Sequence, residues 1–294
     1  MSPPVEPPLP DHAQVCVVGS ANLDLVAGVA RRPGPGETLL GHSYAEHPGG
    51  KGLNQAVAAA RQGASTTFVG AVGADAAGER LTAVLTEAGC DVDAVLVVDT
   101  PTGRALIVVD DAGENSIVVI PGANDYCPTA HTPQGVLLVQ LEVPMDVVAA
   151  SVRAAKNAGC TVVLNPAPAR DVPTEVLAAV DVIVPNEHEV ELLGGVARLL
   201  DAGVGVVVVT RGADGAEVHR RDAAPIQIAA PAVTVVDTTG AGDTLSGTVA
   251  AALASGYDID DAVRRGVIAG SLATTIAGAV PSIPTAAAVD ALTP

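Results

Sequence analysis

Short runs rich in β-branched residues recur along this chain with Ala-rich stretches of helical length between them, and that alternation restricts the fold more than any other feature. The runs fall at 15–18, 66–69, 136–139, 161–164, 182–184 and 206–209. They are almost continuous Val, Ile, Leu and Thr, the composition of strands buried on both faces, as parallel strands are. Helical stretches occupy 52–62, 77–87, 145–157, 187–193, 241–255 and 259–277. Strand and helix in alternation make βαβ units, so the expected fold is α/β, with a central, mainly parallel sheet flanked by helices on both faces. Two segments break the rhythm. One, 27–48, contains Pro33, Gly34, Pro35 and Gly36, and the other, 104–120, reads as a β-hairpin turning at 110–113. Such strands join a parallel sheet poorly, so both are expected in a small β lid at its edge. The chain carries no internal repeat and no domain-sized linker. A single domain is expected over 13–294, after a Pro-rich leader, 1–12, that lacks a basic start and an apolar run and is expected to be disordered.

Composition narrows the partners. Aromatic residues make up 1% of the 294, so the core must be built from Val, Ala, Leu and Ile, and large stacking platforms are nearly absent. The net charge of −18 repels nucleic acid and anionic membranes, and a phosphate ligand has to be held by local features. Cys16, Cys90, Cys127 and Cys160 are widely spaced and form no zinc pattern, which suits four reduced thiols in a cytoplasmic protein. His188 lies in an Asn-Glu-His-Glu string with no second His at metal spacing. The apolar stretch 266–280 is shorter than the roughly 20 residues of a membrane span and contains Ser271, Thr274 and Thr275, so a buried helix is expected there.

Two glycine clusters carry the chemistry. Asp237, Thr238, Thr239, Gly240, Ala241, Gly242 and Asp243 precede an apolar helix. Glycines before a helix let the backbone approach a ligand, and the first-turn N–H groups and helix dipole favour an anion. An Asp there also serves as a helix cap. The second cluster is Gly49, Gly50, Lys51, Gly52, Leu53, Asn54 and Gln55. It is not a P-loop, because Gly52 stands where Ser or Thr must follow the Lys. Gly19, Ser20, Ala21 and Asn22 supply one glycine after the first strand, too few for a dinucleotide fingerprint.

Gly49 to Asn54 resembles the N-terminal signature of the ribokinase-like (PfkB) carbohydrate kinases, and Asp237 to Asp243 resembles their C-terminal one. The resemblance runs from about Val15 to Pro284 and includes Gln140 to Glu142, Asn165 to Arg170 and Pro185 to Glu189. It implies an ATP-dependent kinase acting on a sugar primary hydroxyl, with D-ribose converted to ribose 5-phosphate as the leading expectation. By position, Asn22, Asp24, Gly50, Lys51, Asn54 and Glu142 would hold sugar hydroxyls, and Ala105, Ile107 and Val119 would line the lid. Asp243 would be the base, and the N–H groups of Gly240, Ala241, Gly242 and Asp243 the anion hole. Asn186, Thr210, Arg211, Gly212 and Gly242 would contact the nucleotide. Glu189 would act on Mg²⁺ through water, since that ion keeps much of its hydration shell. The resemblance also implies a potassium site formed by Asp237, Thr239, Ala273, Ile276, Gly278 and Ser282, and a homodimer clasped through the lid.

Two departures bear on specificity. Between Leu193 and Val206 the chain is about one short helix and loop shorter than is usual in the resembling proteins, on the nucleotide side. Arg104 occupies a lid position that is commonly apolar. The alternatives to a ribose kinase are another sugar kinase, for fructose or keto-deoxy acids, a nucleoside kinase, and a non-catalytic sugar-binding regulator. Phe68, Tyr44, Tyr126 and Tyr257 are the chain's aromatic residues, few for sandwiching a base. A pure binder has no need of Asp243.

Overall fold

The computed structural model describes residues 13–129 and 131–293, so the leader lies outside the described residues. Its strands are β1 (Gln14–Val18), β2 (Asn22–Val29), β3 (Ser43–Gly49), β4 (Ser65–Gly73), β5 (Val95–Val98), β6 (Gly103–Asp110), β7 (Asn115–Ile120), β8 (Val136–Gln140), β9 (Thr161–Asn165), β10 (Val182–Ile183), β11 (Val206–Thr210), β12 (Ala216–Arg220) and β13 (Ile226–Ile228). Its helices are α1 (Lys51–Arg61), α2 (Ala76–Glu87), α3 (Met145–Asn157), α4 (Thr174–Leu177), α5 (Glu187–Leu192), α6 (Gly195–Asp201), α7 (Ala241–Ala254), α8 (Ile259–Ala273), α9 (Ala279–Ser282) and α10 (Ala286–Asp290).

A nine-stranded sheet runs in the order β13-β12-β11-β10-β9-β8-β1-β4-β5. It is parallel from β11 to β5, with β12 and β13 added antiparallel at one edge. All six β-branched runs are strands in it. Their alternate residues feed two cores: Val15, Val17, Leu138, Val163 and Val208 pack against residues of α1, α7 and α8, and Val18, Leu137, Val139, Val162 and Leu164 pack under α3. Burial of both faces is why these strands lack a polar side.

A second, four-stranded sheet runs β3-β2-β6-β7. Its polypeptide begins earlier than the breaks in rhythm suggest, because β2 starts at Asn22, with only residues 19–21 between it and β1. The helix expected over 259–277 stops at Ala273: the hydroxyls of Thr274 and Thr275 turn back to the carbonyls of Ser271 and Leu272. Val267, Ile268, Ala269 and Ala273 on it are buried. Among the described residues no helix is long and apolar enough to cross a membrane. The shortened region after Leu193 still holds α6, entered through Gly194 and Gly195 with φ of 89° and 90°. The four cysteines are free and buried, and burial pushes the Cys16, Cys90 and Cys127 thiols up to about 12 each.

Gln140, Asn165 and Thr210 stand at the carboxyl ends of β8, β9 and β11, the end of an open α/β sheet at which ligands bind. Helices α1 and α7 begin above that edge.

Candidate active site

The start of α1 is pressed onto the β1–β2 turn. A Cβ on Gly50 would lie 2.7 Å from the Asn22 nitrogen, and one on Gly52 would lie 2.6 Å from the Ser20 nitrogen. Gly50 also has φ of 91°, so this contact demands glycine twice over. Glu142 holds the helix start, accepting from the Lys51 N–H at 3.1 Å and from the Ser20 hydroxyl. A carboxylate there also complements the positive end of the α1 dipole.

Register places Asn22 opposite Gly103 and Asp24 opposite Ala105, so Asn22, Asp24 and Ala105 share one face of the smaller sheet. Asn22 is buried and its Oδ1 accepts from Asn124 Nδ2 at 2.7 Å. Asp24 fits because its neighbour is glycine: a Cβ on Gly49 would sit 2.2 Å from its Oδ2. Burial, with the nearby Glu142 and Asp243 carboxylates, pushes the Asp24 carboxyl up to about 7. Attraction to Asp243 outweighs burial at Lys51 and, with Glu142 and Glu189, raises its ammonium's pKa. Arg104 falls on the opposite face from Asp24 and Ala105, 4.0 Å from Asp75.

Asp243 is the third residue of α7 and is buried. Its Oδ2 accepts from Asn54 Nδ2 and its Oδ1 from Gln55 Nε2, each at 3.0 Å. It does not cap the helix, since the N-cap of α7 is Gly240, with φ of 76° and no side-chain cap. Asn54 keeps a buried Oδ1 with no partner, an acceptor suited to a hydroxyl. A Cβ on Gly242 would meet nothing within 4 Å. That open space adjoins first-turn N–H groups, which have no intrahelical carbonyl of their own.

Two cavities meet at Thr210, Thr238 and Gly242. The polar one, about 240 Å³, is walled by Lys51, Asn165, Asn186, Glu189, Asp243 and Ser246. The other, about 470 Å³, is mostly apolar and runs between Ala230, Val233, Val235, Leu245 and Val267. Thr210 and Gly212 reach its wall, whereas Arg211 pairs with Glu217 at 2.9 Å and stands 3.8 Å from Glu187. A cavity of about 510 Å³ opens beside Gln14, Ser65 and His131, away from the candidate site residues.

Asn186 and Glu189 form a reciprocal capping box on α5: Asn186 Oδ1 accepts from the Glu189 N–H at 2.8 Å and Glu189 Oε2 from the Asn186 N–H at 2.9 Å. Burial raises the Glu189 carboxyl against the lowering effect of that N–H and of Lys51. Its other oxygen remains for the cavity. Beyond Gly240, Asp237 accepts from the Thr239 N–H at 2.9 Å and the Gly278 N–H at 2.8 Å. Burial works upward on the Asp237 carboxyl, but hydrogen bonds from Thr239 and Gly278 hold it below the usual range. Ala273 ends α8 beside this loop, Ile276 is half-exposed, and Ser282 is buried with its hydroxyl on the Ala279 carbonyl.

Sequence reasoning named Gln55 within its glycine cluster without giving it a role, and passed over Asn124 and Ser246. Ser246 has a buried hydroxyl without a partner on the polar cavity wall. For Gln55 and Ser246 the available signal was a polar residue in a helix stretch otherwise rich in Leu, Val and Ala; Asn124, in the turn Gly122–Tyr126, carried none.

A parallel sheet with a polar, carboxylate-rimmed cleft at its strand ends, leading through a glycine turn to an apolar slot, defines an ATP-dependent sugar kinase. The sequence pattern of the pfkB family carbohydrate kinases matches residues 12–286. Ribokinase of Haemophilus influenzae is 39% identical over 92% of this chain and 94% of its own, and that of Bacillus subtilis is 38% identical over 95% and 98%. The structure of Arabidopsis thaliana ribokinase complexed with ribose and ATP superposes with a TM-score of 0.88 at 33% identity, covering 96% of this chain and 98% of the other. The chain belongs to the pfkB family of carbohydrate kinases.

Proposed function

We propose that the protein transfers the γ-phosphoryl group of ATP to the primary hydroxyl of D-ribose, giving ribose 5-phosphate and ADP. The observation that carries this reading is Asp243, held by Asn54 and Gln55 where the polar cleft meets the glycine turn. Asn22, Asp24, Gly50, Lys51, Asn54 and Glu142 offer donors and acceptors to a polyol, whose buried hydroxyls bind weakly if left unpaired. Asp243 takes the proton as the hydroxyl oxygen attacks the γ-phosphorus, and the bond to the β–γ bridging oxygen breaks. The N–H groups of Gly240, Ala241, Gly242 and Asp243 stabilise charge on the transferring group, and the Lys51 ammonium stays charged beside it. The apolar slot takes adenine, with Thr210, Gly212, Asn186 and Gly242 along the nucleotide. Arg211, fixed by Glu217, borders that side through its backbone.

Mg²⁺ fits the free oxygen of Glu189 through water, and would neutralise phosphate charge there. K⁺ fits the loop of Asp237, Thr239, Gly278 and Ser282 with the last carbonyls of α8 near Ala273 and Ile276, which lack helical partners. The four-stranded sheet serves as a lid on one kinase domain, and its half-exposed Leu106, Ile117, Val118 and Val119 suit a homodimer clasped through it. The buried free thiols suit the cytoplasm. Among the described residues no Phe or Tyr lines either cavity, which disfavours a nucleoside substrate.

A coupled ADP assay over ribose, deoxyribose, fructose and adenosine tests the reading. Ribose is expected to give the highest kcat/KM, and a higher value for adenosine would overturn it.

A further inference from the structure

Beneath Asp243 lies a chain of buried side-chain amides whose orientations follow from the Val184 carbonyl at one end and from the Asp243 carboxylate. Asn165 Nδ2 donates to the Val184 carbonyl at 2.9 Å, so its Oδ1 is an acceptor. Gln55 Nε2 donates to that oxygen at 3.0 Å, and Gln55 Oε1 accepts from Gln140 Nε2 at 2.8 Å. An amide nitrogen has two hydrogens. The second one on Gln55 is thereby aimed at Asp243 Oδ1, 3.0 Å away. Gln55 is 0% exposed, on a helix face shared with the buried Gly52, Ala58 and Ala59. Burying an amide there is unfavourable unless its hydrogen bonds are met. Gln140 in turn fits only against glycine, because a Cβ on residue 19 would lie 1.9 Å from its Oε1.

We infer that Gln55 is a positioning residue for the phosphoryl transfer, keeping Asp243 Oδ1 engaged from below so that Oδ2, on the Asn54 side, faces the sugar hydroxyl. Gln55 touches no reacting atom and acts through Asp243. The inference rests on Asp243 being the base. Without the amide the carboxylate can rotate about its side-chain bonds, and a displacement of about 1 Å at a reacting group can lower turnover by about 10²-fold. The competing role for Gln55 is to tie α1 to the sheet with no effect on the carboxylate.

The test compares Gln55→Met, which keeps the volume and removes the amide, with Gln55→Glu, which keeps the shape but turns the donor facing Oδ1 into an acceptor. Both are made alone and together with Asp243→Asn, and kcat, both KM values and the melting temperature are measured. Gln55→Met is expected to lower kcat by about 10- to 100-fold with either KM changed by less than about threefold, and Gln55→Glu to lower it further. In the Asp243→Asn background the added Gln55→Met is expected to change residual kcat by less than about threefold, because the two act as a unit. A folded Gln55→Met enzyme with near wild-type kcat, or the same fold-loss in both backgrounds, overturns the inference. If Gln55→Met does not fold, Gln140→Met, which removes one bond to Gln55, is put through the same cycle, with a loss of about 3- to 10-fold expected in the wild-type background alone. Asp243→Asn by itself separates the two levels: if it retains more than about a tenth of wild-type turnover, the base assignment has failed and the inference falls with it. If that variant is inactive and the Gln55 and Gln140 variants are not, only the inference has failed.

Discussion

The Asp24 carboxyl, pushed up to about 7 by burial and by Glu142 and Asp243, makes the empty enzyme less stable as the solution becomes more alkaline. The folded-state value lies above the ordinary 3.8, so between the two the folded protein holds a proton that the unfolded chain has released. Stability therefore falls as pH rises through that window, and the full penalty applies above it. Three pKa units correspond to about 4 kcal/mol at most. About one unit has already been spent at about pH 5, and water entering the open cleft weakens the rest, leaving about 2 kcal/mol between about pH 5 and 8. Asp24→Asn keeps the shape and removes the titration. Its melting temperature in the absence of sugar is expected to gain on the wild type by about 3 °C between those pH values. The same variant should bind ribose far more weakly in calorimetry while ATP binding is little changed. Parallel melting curves for the two proteins across that pH range would refute the reasoning, because they would mean that Asp24 is ionised at no energetic cost.

Gly242→Ala inserts a methyl into the space beside the first turn of α7; it is expected to stabilise the helix by about 0.5–1 kcal/mol and yet raise the KM for ATP and lower kcat. Retained kinetics would remove phosphate from that space. Asp243→Asn is expected to reduce turnover by about 10²- to 10⁴-fold at saturating substrates with the melting temperature preserved. A helix cap would tolerate it. Activity should rise when potassium replaces sodium in an otherwise identical buffer, and equal rates would dispose of a cation role for the Asp237 loop. Arg104→Leu should leave kcat/KM for ribose within about twofold, since surface changes away from a site have small effects; a large loss would contradict the register of β6.

The strands were legible because a strand buried on both faces writes itself as an unbroken apolar run, as at 136–139 and 206–209. Helix α7 was legible for a similar reason: almost every residue of it is apolar or small. β12 and the edge strand β13 escaped notice because Glu217, His219, Arg220 and Gln227 interrupt their apolar residues, and the other edge strand, β5, because it is four residues long with no helical stretch after it to mark a βαβ unit. β2 was hidden by the brevity of the Gly19-Ser20-Ala21 link, which leaves no room for the usual signs of a turn. In the site, the glycine clusters announced themselves, since close backbone approach is possible for little else. Asn124 and Gln55 did not. Their role depends on which atoms they meet more than 100 positions away, and the local sequence carries no trace of those partners.

Asn22 and Asp24 belong to the smaller sheet, while Lys51 and Asn54 lie on a helix packed against the larger one. A sugar that hydrogen-bonds both sets is a crosslink between two bodies of the fold, joining them through its own hydroxyls where the chain provides the short link 19–21 and a few other crossings. Occupancy should then be readable far from the cleft: backbone amides of β2 and β6 should exchange their hydrogens with solvent more slowly once the sugar is in place, before any nucleotide arrives.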